Sequence, residues 1–354
     1  LSAKVKIFGH LLKEVVRENL CVGCGACVAI CPVDALTLED GVPKLVGKCS
    51  ACGNCYSACP RTDFDEAKME EKVFGRARSA EEADLGIVRK VYAVRALKQN
   101  IRERCQDGGA VTAVLAQFLD EGGESAIVAG LDKDKPWTPV PVAASTEKEI
   151  VENAGTKYTS SPTILGVRNA VKKNGKKKIA VVGTPCQVRA LRRVEFLEQK
   201  QEGLPKAEYL DIGLFCMETL SQDGLLNYLR SEGIDPSKVT KFEIKSGKFI
   251  AHRVGEPPYE VKLKRVKHLV RTCCHVCKDF TSEFSDLSVG NVGSPDGWST
   301  VLVRTEKGEK ALKVAEKAGL VEVQPLEEGE KGIGFVVRLA KIKREAATKG
   351  TSDQ

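Results

Sequence analysis

No segment of this chain is apolar enough to span a bilayer as a helix. The longest run without a charged residue is 19–33, 15 residues of which four are Cys, whereas a membrane helix needs about 20 mostly apolar residues. Aromatic residues make up only 5% of the 354, which argues against a protein that stacks nucleic-acid bases. The first residues, LSAKVKIFGHLLKEVVREN, mix charged with apolar side chains and hold no secretory apolar run, so the expected location is the cytoplasm, with peripheral docking to a membrane complex still allowed. Two nucleotide signatures are also missing. No G-x-G-x-x-G follows a strand and opens a helix, and no G-x-x-x-x-G-K-S/T occurs, so neither a Rossmann site nor a P-loop is expected and a flavin would need another cradle.

What remains is an ordinary globular composition, 42% hydrophobic and 29% charged, long enough for two or three domains. The net charge of +7 makes acidic ligands or partners plausible without demanding nucleic acid. Cysteine is the exception, with 14 residues. In a reducing cytosol that number points to metal ligation or redox chemistry rather than to disulfides.

Eight of these cysteines form two matched quartets. Cys21, Cys24, Cys27 and Cys31-Pro32 follow C-x2-C-x2-C-x3-C-P, and Cys49, Cys52, Cys55 and Cys59-Pro60 repeat the spacing 28 residues later. This is the signature of a bacterial-type ferredoxin with two 4Fe-4S clusters, in which the fourth Cys of each run reaches the other cluster. Cys21, Cys24, Cys27 and Cys59 should then hold one cluster, and Cys49, Cys52, Cys55 and Cys31 the second. A pair of four-cysteine zinc sites is the competing reading, but zinc does not need a crossed doublet. Between the quartets, ALTLEDGVPKLV reads as a hairpin turning at Asp40-Gly41.

The expected organisation is a ferredoxin-like domain over 1–62, a charged linker over 63–90, an α/β part over 91–236 and a strand-rich part with a polar tail over 237–354. The alternation of VYAVRAL, GGAVTAVLAQFLDEG, SAIVAG, SPTILGVRNAVKK, KIAVVG, PCQVRALRRVEFLEQ and YLDIGLF predicts α/β packing with partly parallel strands. KFEIK, KFIAHRV, EVKLKRV, DLSVGNV and WSTVLVRT follow as shorter strands, with EKALKVAEKAG as a helix. The fold class is thus mixed, α+β or α/β, with a ferredoxin-like module attached.

Four further cysteines suggest a second site. Thr184, Pro185 and Gln187 give a capping box that places Cys186 in the first helical turn after a strand, where the helix dipole favours a thiolate. Cys216 ends a strand that, if parallel and adjacent, brings it to the same sheet edge. Cys274 and Cys277 supply a CxxC, although Cys273 can replace Cys274. On spacing alone, a third cluster competes with buried structural thiols, a zinc site and a reactive thiolate at Cys186. Cys105 reads as a packed thiol, and His275 as solvent-facing or outside the ligand set.

DGGAVTAVL at 107–115, GTKYTSSP at 155–162, VVGTPCQVRAL at 181–191, GLFC at 213–216, CxxCxD at 274–279 and SVGNVGSPDGWSTV at 288–301 resemble the family of coenzyme F420 hydrogenase/dehydrogenase beta subunits. The resemblance covers about 91–305, and the N-terminal quartets match a module that several members carry. With that module the chain looks most like an archaeal, anaerobic F420H2 dehydrogenase input subunit or the beta subunit of an F420-linked formate dehydrogenase. The resemblance implies a mixed α/β flavin and iron-sulfur core with one FAD and one 4Fe-4S cluster on Cys186, Cys216, Cys274 and Cys277, making three clusters in all. It implies hydride exchange with coenzyme F420, no obligatory side-chain acid or base, and a redox partner. That partner would be a quinone or methanophenazine reductase complex, a formate dehydrogenase, or a heterodisulfide or sulfite reductase. A pure electron-transfer adaptor, or a flavin-iron-sulfur reductase of another organic substrate, is the alternative.

Candidate flavin contacts are Gly108, Gly109 and Thr112 at a helix start, Lys157, Tyr158 and Ser160, Thr184 and Gln187, and Asn291, Gly293 and Ser294. Two lysine-rich stretches, 172–178 and 262–271, read either as solvated faces or as an attraction for the acidic tail of F420.

Overall fold

A computed structural model describes residues 5–197 and 202–352. The N-terminal unit is built around two short helices, Ala26–Ala29 and Asn54–Ser57, one following each CxxC run. They flank the hairpin of β1 (Leu36–Glu39) and β2 (Val42–Leu45). Its turn residues Asp40 and Gly41 both take positive φ, 50° and 75°, the twist that suits a two-residue hairpin and that Asp-Gly tolerates. Phe8, Leu11, Val15, Ala35, Leu36 and Tyr56 close the apolar core of this unit around the cysteines.

The rest of the chain is organised on one mixed sheet. Its strands in chain order are β3 (Lys90–Ala96), β4 (Ser125–Leu131), β5 (Pro139–Ala144), β6 (Lys178–Gly183) and β7 (Glu208–Leu214). A small sheet of β8 (Val239–Lys245), β9 (Lys248–Arg253) and β10 (Glu256–Lys262) intervenes before β11 (Leu287–Gly290), β12 (Ser299–Val303) and β13 (Val321–Pro325) rejoin the main one. The spatial order is β13-β3-β12-β11-β7-β6-β4-β5. The central run β11-β7-β6-β4 is parallel, with antiparallel strands on both sides.

Alternation along the central strands sends side chains to opposite faces. Ala126, Val128, Ala180, Leu210 and Ile212 join one core with the helices Ala110–Asp120 and Glu306–Lys317. Ile127, Ile179, Val181 and Tyr209 join another with the helices Thr163–Arg168 and Pro185–Phe196. Val22, Cys24, Ala26, Ile30 and Ala58 of the N-terminal unit belong to this second core, so the ferredoxin-like domain is packed into the body. Arg193 reinforces the contact by donating to the carbonyls of Ser57, Thr62 and Asp63.

Three stretches differ from the sequence expectation. The charged stretch 63–90 contains the helix Glu66–Phe74, whose Glu70 is buried against Arg78, which also pairs with Glu283 at 2.6 Å. The strands after 236 do not form one lobe, since β11 to β13 complete the main sheet. Pairing in β10 ends at Lys262, and Leu263–Leu269 is a 3-10 helix. The expected polar tail is the helix Ile333–Ser352, with Val336, Ala340, Lys343 and Ala347 buried. Among the described residues no helix is long and apolar enough to cross a membrane.

Candidate redox site

The four parallel strands end at the floor of a cavity of about 550 Å3 lined by Val128, Val182, Leu214 and Val289. This is the usual ligand position in open α/β sheets, and the volume is within the range of cofactor pockets. Ile244 of the small sheet forms another wall with Leu263 and Val266 of the following 3-10 helix and Val270 just past it.

One end of the cavity is a thiol site. The capping box of Thr184 and Gln187 forms as expected, with the Gln187 side chain accepting from the Thr184 amide at 2.8 Å, and Cys186 lies in the first turn. Cys216 lies just past β7, beside β6, and its amide donates to the Phe280 carbonyl at 2.8 Å. Cys274 and Cys277 approach from the short helix Thr272–His275 and the turn after it. All four line the cavity; Cys186 feels the charge of Cys274 and Cys277, and Cys216 that of Cys186, Cys274 and Cys277. Burial pushes the Cys216 thiol up to about 12 and that of Cys186 upward as well. Thiolates at this depth therefore need a cationic ligand, and loading would release protons.

Cys273 and Cys274 behave differently. The Thr219 amide and hydroxyl lie 3.4 Å from the Cys274 sulfur, and together with the adjoining Cys273 thiol they lower the Cys274 thiol from its ordinary range. Cys273 is 3% exposed and belongs to the apolar contact with the N-terminal unit. Cys105 points its sulfur at the carbonyl of Asp107, 2.8 Å away, and His275 is exposed.

The N-terminal cysteines influence one another electrostatically. Cys24 feels Cys59 and Cys21, while Cys27 feels Cys24, Cys21 and Cys59. Cys55 feels Cys52, Cys49 and Cys31. Burial raises the thiols of Cys24, Cys27, Cys55 and Cys59. Electrostatic contacts also join Cys27 with Cys55 and Cys24 with Cys186. Cys49 is exposed at the surface, and Cys186 lines the cavity.

The other end of the cavity has the character of an anion and amide cradle. The helix Ala110–Asp120 starts here with no side-chain cap, so its first amides are open to a ligand. Ser161 lines the wall with a buried hydroxyl that has no hydrogen-bond partner among the described residues, a group that a bound molecule would satisfy. Gly109, Thr112, Lys157, Tyr158, Ser160, Thr184, Gln187 and Asn291 all line the cavity, whereas Gly108, Gly293 and Ser294 do not.

The structure gives these last three other surroundings. A Cβ on Gly108 would sit 2.4 Å from the Ser299 nitrogen and 2.6 Å from the Val94 oxygen, and one on Gly293 would sit 2.8 Å from the Gly332 oxygen. Ser294 shares a hydrogen bond of 2.7 Å with Thr300. Lys157 donates to the carbonyls of Asn153, Ala154 and Gly155 at the end of the helix Glu147–Glu152, and burial lowers its ammonium to about 8. Of the lysine-rich stretches, 262–271 contributes Leu263, Val266, Lys267, Val270 and Arg271 to the cavity wall, while 172–178 contributes none of its residues and Lys172 pairs with Asp34 at 2.9 Å.

Sequence reasoning passed over Arg61 and Lys343, which also line the cavity, as do Asp107 of the DGGAVTAVL motif and Arg271 of the basic stretch. Arg271 donates to the carbonyls of Cys21 and Val22, and Arg61 to that of Cys273, each at 2.9 Å or less. Half-buried Asp107 is raised above its ordinary value by desolvation and accepts from Asn291. Of the two passed over, only Arg61 had a local cue, its place directly after the second Cys-Pro.

Comparison with known proteins agrees with this geometry. The family "Coenzyme F420 hydrogenase/dehydrogenase, beta subunit" matches at 91–166 with its N-terminal part and at 176–329 with its C-terminal part, and "4Fe-4S binding domain" matches 14–37. The beta subunit of the coenzyme F420 hydrogenase of Methanothermobacter thermautotrophicus is 37% identical over 267 residues, 75% of this chain and 94% of that protein. A subunit of the F420H2 dehydrogenase of Methanosarcina mazei is 31% identical over 348 residues, 94% of this chain and 92% of that protein. A chain of the F420-reducing NiFe hydrogenase complex of Methanosarcina barkeri superposes with a TM-score of 0.72 at 35% identity, covering 76% of this chain and 93% of that one. The chain belongs to the oxidoreductase family of coenzyme F420 hydrogenase/dehydrogenase beta subunits and carries an N-terminal 4Fe-4S ferredoxin-like domain.

Proposed function

We propose that this protein is an F420H2-oxidising input subunit that binds FAD in the cavity and passes electrons through three 4Fe-4S clusters to a partner redox complex. The observation that carries the reading is a cofactor-sized cavity lined by Cys186, Cys216, Cys274 and Cys277, against which the ferredoxin-like domain is packed. The same relay would run backwards if the partner supplied the electrons.

A bound flavin supplies the exchange between a two-electron hydride carrier and one-electron clusters. The chain's own contribution is placement. The open amides of the helix Ala110–Asp120 suit the pyrophosphate, and the unpartnered Ser161 hydroxyl suits a polar group of the cofactor. Cys186, Cys216, Cys274 and Cys277 would hold the core cluster, with Cys273, 3% exposed and packed in the apolar contact with the N-terminal unit, outside the ligand set. Apolar Leu263, Val266 and Val270 exclude water from the cavity wall. No acid or base is needed for hydride transfer, which requires alignment of the two rings.

The domain reading follows the same logic: residues up to about 62 serve as the outer relay and the remainder as the flavin and core-cluster body. An adaptor that binds no substrate has no use for a cavity of about 550 Å3. The test is anaerobic turnover of reduced F420 with a viologen acceptor, using reconstituted protein with and without FAD. Turnover that depends on FAD supports the proposal. A fully loaded protein that leaves F420H2 untouched rejects it.

A further inference from the structure

Lys343 sits on the helix Ile333–Ser352, beyond the family match that ends at 329. It is 5% exposed and lines the cavity beside the core thiols. Its ammonium donates to the carbonyls of Cys216 and Met217, at 2.6 Å each, and forms no ion pair among the described residues. The carboxylate it senses, Asp279, is already engaged by the amides of Ser282 and Glu283. A buried ammonium without a counter-charge is costly. The groups able to offset it are the sulfurs of Cys216, Cys274 and Cys277, which surround it electrostatically.

Arg61 mirrors this arrangement from the side of the N-terminal unit. It donates to the Cys273 carbonyl at 2.6 Å and faces Cys277 and Cys186, and its Nε is buried with no partner. Two cations supplied by segments outside the two matched core regions thus act on the core cysteines.

We infer that Lys343 is a positioning charge that raises the reduction potential of the core cluster, with Arg61 adding to the effect. This rests on the three-cluster reading above. When one electron from the reduced flavin enters the cluster, no bond forms or breaks, and the cluster with its four thiolates becomes more negative by one charge. A fixed buried cation beside it favours that more negative state. Without Lys343 the cluster would be a poorer acceptor, and electrons would stay on the flavin.

The experiment is an EPR-monitored redox titration of the reconstituted full chain, wild type against Lys343→Met and Lys343→Arg, with the core signal identified as the one lost in Cys186→Ser. Lys343→Met should lower the reduction equilibrium constant of the core cluster at least tenfold, about 59 mV for one electron. The two N-terminal clusters serve as internal references and should not move, and Lys343→Arg should keep the wild-type value. An unchanged core potential in Lys343→Met, or equal shifts in the Met and Arg variants, overturns the inference. Loss of the core cluster from Lys343→Met alone supports it, because charge is then what the cluster needs. Loss from both variants overturns it in favour of a helix-docking role. A wild-type titration with only two clusters overturns the three-cluster reading itself, and the inference with it.

Discussion

Gly108→Ala tests whether the cavity is shaped by backbone placement at the start of the helix Ala110–Asp120. The added Cβ would lie 2.4 Å from the Ser299 nitrogen and 2.6 Å from the Val94 oxygen, about 1 Å inside normal contact distance. Both neighbours belong to strands paired with each other, β12 and β3, so the loop is the part that gives way. Its movement strains the 2.6 Å hydrogen bond from the Ala96 amide to the Gly108 carbonyl and shifts the open amides at the helix start. Overpacking of this kind costs about 1–3 kcal/mol in stability. A displacement of the cradle should also weaken FAD at least tenfold, about 1.4 kcal/mol.

Gly122→Ala is the control at the far end of the same helix. Its φ is 79° but nothing lies within 4 Å of a Cβ there, so only the left-handed strain of about 1–2 kcal/mol applies. Melting curves and flavin titrations on the two variants separate the effects. Wild-type FAD affinity in Gly108→Ala, or the same weakening in Gly122→Ala, would show that the close approach at Gly108 does not set the cradle.

Other expectations concern the charged groups. Arg192→Met leaves the buried pair Asp211 and Asp286, 3.0 and 3.1 Å from its guanidinium, without their main counter-charge, and should cost about 3–5 kcal/mol in denaturation experiments; a loss below about 1 kcal/mol would contradict it. Burial pushes the Asp211 carboxyl up to about 7, so the folded protein keeps a proton that the unfolded chain loses near pH 4. Stability from this group is full below about pH 4 and falls as pH rises towards 7. Asp211→Asn should flatten that fall in melts across this window, and an unchanged slope would count against the assignment. Replacing Lys262, Lys264 and Arg265, next to the cavity-lining Leu263 and Val266, by Gln should raise the KM for F420 at low salt but not at high salt; equal KM values at low salt would assign these residues to a solvated face.

The parts of the molecule written in local spacing were legible beforehand. The two cysteine quartets, the Asp40-Gly41 hairpin and the Thr184/Gln187 capping box each need only a few neighbouring residues, and the structure has the hairpin and the box where they were expected. Convergence of Cys186 and Cys216 was readable because parallel β6 and β7 end at one sheet edge. The helix Ile333–Ser352 escaped notice because its buried face is Val336, Ala340, Lys343 and Ala347, two small residues and a lysine in a charged context. Lys343 is buried only because long-range packing places it against the Cys216 carbonyl, and no local pattern encodes that. Gly108 and Gly293 looked like cofactor glycines, but their lack of a side chain serves backbone crossings with β12, β3 and the Gly332 loop.

The input role of the protein is tested most directly by an anaerobic single-turnover experiment, mixing reduced coenzyme F420 with the oxidised, fully reconstituted protein in a stopped-flow spectrometer. F420 oxidation and flavin bleaching should rise together, followed by loss of iron-sulfur absorbance. Reduction of the clusters by F420H2 in flavin-free protein at the same rate, or no F420 oxidation with flavin and clusters in place, would contradict that role.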